Sequence, residues 1–209
     1  VDRERVWGQV TDERRAVLDL LEELTPAEWD APTLCAGWRV RELVAHLTMP
    51  TRTGPLAATV GLARARFDVD RYFAEWAVEH GRAPTAELLQ QWRDVVTSGR
   101  RPRDGTPGGV LVETVAHAQD LRRPLGRPAA TPPDRLRTAL DVAVRRGRPF
   151  RGRQRAAGLR WVGTDVDWTW GTPGDPEVRG HGDDLLLAML GRPAVLRDLS
   201  GTGVVRLAG

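Results

Sequence analysis

The sequence predicts a mainly α-helical protein that ends in a small α/β unit. Three observations carry that expectation. Apolar residues recur at helical spacing through most of residues 1–148. An aperiodic, arginine-rich stretch then interrupts the pattern, and residues 149–155 read as a linker. Beyond it, residues 156–209 alternate apolar and polar positions as short strands do, with a single helical run among them.

The first helix is carried by Val6, Val10, Val17, Leu18, Leu21 and Leu24, a buried stripe with charges between its members. Thr25-Pro26-Ala27-Glu28 combines a capping threonine, a proline at the first helical position and a glutamate at the third, so a short helical turn carrying Trp29 should start there. Gly37 suits a tight turn, and a helix follows from about Arg39 with Leu43, Val44 and Leu47 inward. Pro50 removes the amide that would bond the His46 carbonyl, so this helix should bend or stop within a turn of it. Residues 55–80 resume the helical pattern, with Leu56, Val60, Leu62, Phe67, Tyr72, Phe73 and Trp76 as expected core, and His80 in the last turn favoured by the helix dipole.

Thr85 caps a further helix through Trp92 and Val96. Another runs from about Gly109 until Pro124 and Gly126 end it, and one more from Pro132 or Pro133 to Arg146. Arg145–Arg155 holds six arginines and two glycines. Such a run can meet phosphates, but no stacking aromatics or recognised nucleic-acid motif accompany it, and a solvated linker is the better reading. Leu159–Val162 and Val166–Trp170 then read as a hairpin around Gly163-Thr164-Asp165. Glu177–Arg179 is a further strand, Asp183 or Asp184 begins a helix closed by Gly191, and Gly203–Leu207 returns as a last strand.

With 41% hydrophobic and 28% charged residues, the 209-residue chain has the composition of a soluble globular protein. No apolar run approaches the roughly 20 residues that cross a bilayer, and Val1–Arg5 leads straight into an amphipathic pattern rather than a signal peptide. Cys35 is the only cysteine, which excludes an internal disulfide and fits a reducing, cytoplasmic setting. Every one of the 31 basic residues is arginine, which explains a pI near 10.2 beside a net charge of only +3. That charge is no nucleic-acid signature, and we expect neither nucleic acid nor membrane as a partner.

Chemistry is concentrated in Glu113-Thr114-Val115-Ala116-His117. A carboxylate and an imidazole four residues apart lie on one helix face and can reach one metal ion, leaving a third ligand to come from elsewhere. His46 borders the apolar stripe of its own helix. From the residues alone it reads either as a hydrogen-bonded core histidine or as that third ligand. Two imidazoles and a carboxylate suit zinc with one position left open, although another divalent metal could take the same set. Asp120, three residues beyond His117, can accept the second N–H of that imidazole, or else pair with Arg122 or Arg123. His80 and His181 are read as structural, and a buried free thiol is the ordinary state of Cys35.

Leu34-Cys-Ala-Gly-Trp-Arg-Val-Arg-Glu-Leu-Val-Ala-His-Leu47, Glu113-Thr-Val-Ala-His-Ala-Gln-Asp-Leu121 and the closing Trp168-Thr-Trp-Gly…Glu-Val-Arg-Gly…Asp-Leu-Leu-Leu-Ala-Met-Leu-Gly-Arg-Pro, in that order, resemble the actinobacterial mycothiol-dependent maleylpyruvate isomerase family of the DinB-like superfamily. The similarity runs over nearly the whole chain. It implies a DinB-like four-helix bundle over residues 1–148, a C-terminal α/β domain over 156–209, and a divalent metal, usually zinc, on His46, Glu113 and His117. It further implies that mycothiol supplies the fourth ligand as its sulfur and that the resulting thiolate attacks a small electrophile. Adding to a cis alkene, allowing rotation and leaving gives isomerisation, whereas remaining attached gives S-transfer. Two departures bear on the substrate: Pro50 interrupts the histidine-bearing helix, and Gln119 stands where relatives often carry a bulky aromatic.

The expectation is therefore a cytoplasmic, metal-dependent, mycothiol-using S-transferase or isomerase, a monomer or weak homodimer. Arg206 and Arg179 are the candidates to receive a carboxylate of the thiol or substrate. The alternatives are a non-catalytic metal or small-ligand binding module, and an arginine-rich nucleic-acid binder working through residues 145–155.

Overall fold

A computed structural model describes residues 2–102, 105–147 and 150–207. Nine α-helices are described: α1 Arg3–Glu22, α2 Val40–Arg52, α3 Pro55–Arg64, α4 Val69–His80, α5 Thr85–Thr97, α6 Pro107–Arg122, α7 Pro133–Ala143, α8 Gly152–Ala156 and α9 Gly182–Met189. Strands β1 Arg160–Gly163, β2 Thr169–Trp170 and β3 Glu177–Gly180 form a small sheet. The expected class, mainly helical with a small α/β part, is the observed one. The chain forms two compact units, one of Thr11–Gly105 with Asp120–Arg127 and one of Val1–Val10, Thr106–Gln119 and Pro128–Gly209.

In the first of these units, α2 packs on α4 and α5. It buries Val40, Leu43, Val44, Ala45, Leu47 and Met49, an almost continuous apolar surface that accounts for its place in the core. Its start is set by a local device: the Arg39 N–H donates to Glu42 Oε2 (2.8 Å), while the Arg39 guanidinium grips the same carboxylate (2.6 Å). Pro50 lies inside α2, which ends two residues later at Arg52, as the missing amide requires. The expected turn at Thr25 forms as a reciprocal cap: the Thr25 N–H donates to Glu28 Oε2 (2.8 Å) and the Glu28 N–H to Thr25 Oγ1 (3.4 Å). Trp29 is buried in the short 3-10 turn that follows.

The reading of residues 55–80 needs correction. They form two helices, α3 and α4, separated by Arg66 and Phe67 in the left-handed region (φ 58° and 63°). Leu56 and Phe67 are 79% and 73% exposed, Val60 is exposed too, and α3 buries none of its residues. The apolar period is real, but the Arg66–Phe67 turn ends the helix, so a period continued across it does not describe one face. His80 closes α4 as expected, its Nδ1 at 2.9 Å from the Trp76 carbonyl and its ring stacked on the Trp76 indole.

In the other unit, β1 lies between β2 and β3, antiparallel to β2 and parallel to β3, with Trp161 opposite Trp170 on one side and Val178 on the other. Helix α9 packs on α7 and on the sheet through Leu185, Leu186, Leu187 and Met189, all fully buried. The buried Asp183 in the first turn of α9 accepts the Thr131 hydroxyl (2.6 Å) and the Thr131 N–H (3.0 Å).

The expected last strand at 203–207 is absent: Val204–Leu207 is a 3-10 turn. The edge of β3 pairs instead through a single bridge between Arg179 and Ser200. Gly201 (φ 102°) then turns the chain so tightly that a Cβ there would strike the Glu177 carbonyl oxygen, and the ladder gives way to one bond from the Gly203 N–H to that carbonyl (2.8 Å). Of the arginine-rich stretch, Arg148 and Pro149 fall outside the described residues. Gly152–Ala156 forms α8, and Arg155 donates to the Phe150 and Met189 carbonyls (both 3.3 Å). Burial, with Arg151 and Arg192 nearby, pushes the Arg155 pKa down.

Candidate metal centre

Helix α6 is apolar on nearly every side: Val110, Leu111, Val112, Val115, Ala116, Ala118 and Leu121 are all buried. A helix of that kind belongs to a core, so each polar side chain on it needs a reason. Thr106 starts the helix, its hydroxyl accepting the Gly109 N–H (3.3 Å). Glu113 is half-buried and His117 only 9% exposed, one helical turn further along. Three residues beyond His117, Asp120 is fully buried.

His46 sits on α2, 6% exposed, with the Trp38 ring centred 4.9 Å and the Phe73 ring 5.3 Å from its own. Ligand atoms of His46, Glu113 and His117 lie within 4.8 Å of one another. Tetrahedral donors about 2 Å from a zinc ion are roughly 3.3 Å apart, so small side-chain adjustments bring such a set onto one ion. The donor set fits a divalent metal on its chemistry: two imidazoles, one carboxylate, and among the described residues no fourth histidine, cysteine or carboxylate joining them.

A second trio shares His117. Ligand atoms of Cys35, His117 and Asp120 also lie within 4.8 Å of one another. Here the Cys35 Sγ–H donates to Asp120 Oδ2 (3.2 Å), and the Leu34 N–H donates to the Asp120 carbonyl (3.1 Å). The sequence reading assigned Asp120 but missed its link to Cys35. The LCAGW motif was the only available sign, and it carries no indication of a partner 85 residues away. The flanking of His46 by Trp38 and Phe73 was likewise not anticipated.

The remaining candidates are occupied elsewhere. Arg179 on β3 donates through Nε to Glu177 Oε1 (2.9 Å). Arg206 lies in the 3-10 turn that replaces the last strand and donates to the Gly158 carbonyl (3.2 Å). His181 precedes α9 with its Nδ1 3.3 Å from Asp165. Gln119, fully within the core, donates to the Ala129 carbonyl (2.8 Å) and lies 3.4 Å from the Thr131 hydroxyl. Its amide therefore ties down the segment that Asp183 also holds.

The structure thus sets two buried histidines and a half-buried glutamate close together on helices, with a small sheet later in the chain. Residues 10–102 match the sequence model of the mycothiol maleylpyruvate isomerase N-terminal domain, a stretch that includes His46 and ends before Glu113. The match agrees with the family resemblance and contains the first of the three motifs, Leu34–Leu47; the other two lie beyond it. The fold is shared with two solved structures, the mycothiol-dependent maleylpyruvate isomerase and a histidine-to-alanine mutant of that enzyme. Each is 15% identical with a TM-score of 0.64, over 97% of this chain and 93% of the other. Comparison with curated protein sequences gave no match.

Proposed function

We propose that this protein is a metal-dependent, mycothiol-using enzyme, an S-transferase or a maleylpyruvate-type cis–trans isomerase. The observation that carries the reading is the convergence of His46, Glu113 and His117, with one ligand atom of each inside a 4.8 Å span. The family match over residues 10–102 and the shared fold support it.

In this reading the helical region, residues 1–148, supplies all three ligands to a zinc ion. His46 and His117 offer neutral imidazole nitrogens and Glu113 a carboxylate oxygen. A divalent ion held by that set keeps one uncompensated positive charge, which favours the deprotonated form of a thiol in its open position. Trp38 and Phe73 pack the His46 ring so that its nitrogen keeps one direction and water is kept from that side. Asp120 acts behind His117, fixing the tautomer and orientation of the imidazole. Arg179 and Arg206 are engaged with Glu177 and Gly158, so either would have to exchange that partner to receive a substrate carboxylate.

Metal content and thiol binding test the reading together. Wild-type protein should hold one zinc ion, and His46→Ala should lose it. Cobalt-substituted protein titrated with mycothiol should develop a sulfur-to-metal absorbance band. Full zinc occupancy in His46→Ala, or no band with mycothiol, would overturn it.

A further inference from the structure

One turn of chain touches the surroundings of both candidate metal histidines. Residues Thr33–Trp38 are closed on themselves. The Thr33 N–H and hydroxyl both donate to the Trp38 carbonyl (3.0 and 2.9 Å), the Cys35 N–H donates to Thr33 Oγ1 (3.2 Å), and the Trp38 N–H donates to the Cys35 carbonyl (3.0 Å). Gly37 supplies the left-handed residue (φ 80°) that lets the chain reverse. From this rigid frame Trp38 lies against the ring of His46, while Leu34 and Cys35 hold Asp120 by its carbonyl and its carboxylate.

We propose that Cys35 is a positioning residue of the metal centre, acting on His117 through Asp120. The inference rests on the metal reading above. A carboxylate behind a ligating imidazole is useful only while its own direction is fixed, and two donors from one turn supply that fixation. The thiol groups with His117 and Asp120, a trio that could itself take an ion, and not with His46 and Glu113; its hydrogen bond to the Asp120 carboxylate is what points to positioning. Its S–H donates to Asp120 Oδ2, three residues beyond His117 on the same helix. A serine in its place keeps an O–H for the same acceptor, whereas an alanine leaves a buried carboxylate oxygen without this donor.

The experiment compares zinc affinity, by competition with a chromophoric chelator, in wild type, Cys35→Ser, Cys35→Ala and His117→Ala, with melting of each metal-free protein alongside. We expect Cys35→Ala to weaken zinc binding by about 10- to 100-fold, as loss of a group behind a ligand does. Cys35→Ser should stay within a few-fold of wild type, and the metal-free melting temperatures measure separately what the lost donor costs Cys35→Ala in stability. Unchanged affinity in Cys35→Ala overturns the proposal, as does equal loss in both variants. A sulfur-to-cobalt band in wild type without added thiol, absent from Cys35→Ser, would make Cys35 a ligand and also overturn it. If His117→Ala binds zinc like wild type, the metal reading itself fails. If His117→Ala loses zinc while Cys35→Ala keeps it, only the role of Cys35 fails.

Discussion

Arg122, in the last turn of α6, reaches Glu13 of α1 across 3.3 Å, with both side chains nearly out of solvent. The same guanidinium donates to the Ala16 carbonyl (3.1 Å). Removing one member of such a buried pair takes this counter-charge from the other, which costs up to about 3–5 kcal/mol. Arg122→Met should therefore lower unfolding free energy by that order, measured by urea denaturation. Glu13→Gln, which keeps an acceptor, should cost less.

Acid should weaken the start of α2. Burial raises the Glu42 pKa, but the hydrogen bonds and charge of Arg39 outweigh it and hold the carboxyl below the ordinary 4.5. Unfolded, Glu42 binds its proton more tightly than folded. Its stabilising contribution is thus present above about pH 4.5 and is lost as pH falls through the lower folded value. Glu42→Gln should flatten that part of the stability–pH curve; a curve parallel to wild type would show that Glu42 is not its source.

Zinc should stabilise the folded chain by mass action. At about a thousand times the dissociation constant the gain is about 4 kcal/mol. Melting temperature should rise with added zinc and fall back with a chelator. His117→Ala should show neither change if the proposed site is right, because that site would then lose one of its three protein ligands.

The Asp183 carboxylate, in the first turn of α9, accepts both the hydroxyl and the amide of Thr131. Asp183→Ala should cost about 1.5–3 kcal/mol, the range for hydrogen bonds to a charged group. Zinc stoichiometry should be unchanged, and calorimetry with metal analysis on the same sample checks both.

Leu56 offers the opposite case. Its 79% exposure predicts that Leu56→Ser changes stability by no more than about 0.5 kcal/mol. A loss of several kcal/mol on denaturation would restore it to the core that periodicity alone suggests.

These cases show where sequence reasoning holds. The Thr25–Glu28 cap and the His80 helix end were legible because each depends on residues within a turn of one another. So was the spacing of Glu113 and His117, since one helix carries both. Leu56, Val60 and Phe67 misled because a helical period marks a possible face without saying whether anything covers it. The last strand failed for a related reason: Gly203–Leu207 has strand-like residues, but after the turn at Gly201 the chain meets β3 only through the Ser200 bridge and one bond from the Gly203 N–H to the Glu177 carbonyl, among the described residues.

What the sequence by itself determined is therefore local: most helix limits, caps, the carboxylate and imidazole one turn apart on α6, and the motifs that carry the family resemblance. Tertiary structure alone decided which distant groups stand behind them. Trp38 and Phe73 against His46, and the Cys35 thiol on Asp120, join residues whose separation along the chain bears no relation to their distance in space. The physical reason is that backbone hydrogen bonding and side-chain period act over a few residues. The partner of a buried polar group is chosen by how whole helices and turns pack, and no spacing in the sequence encodes that choice.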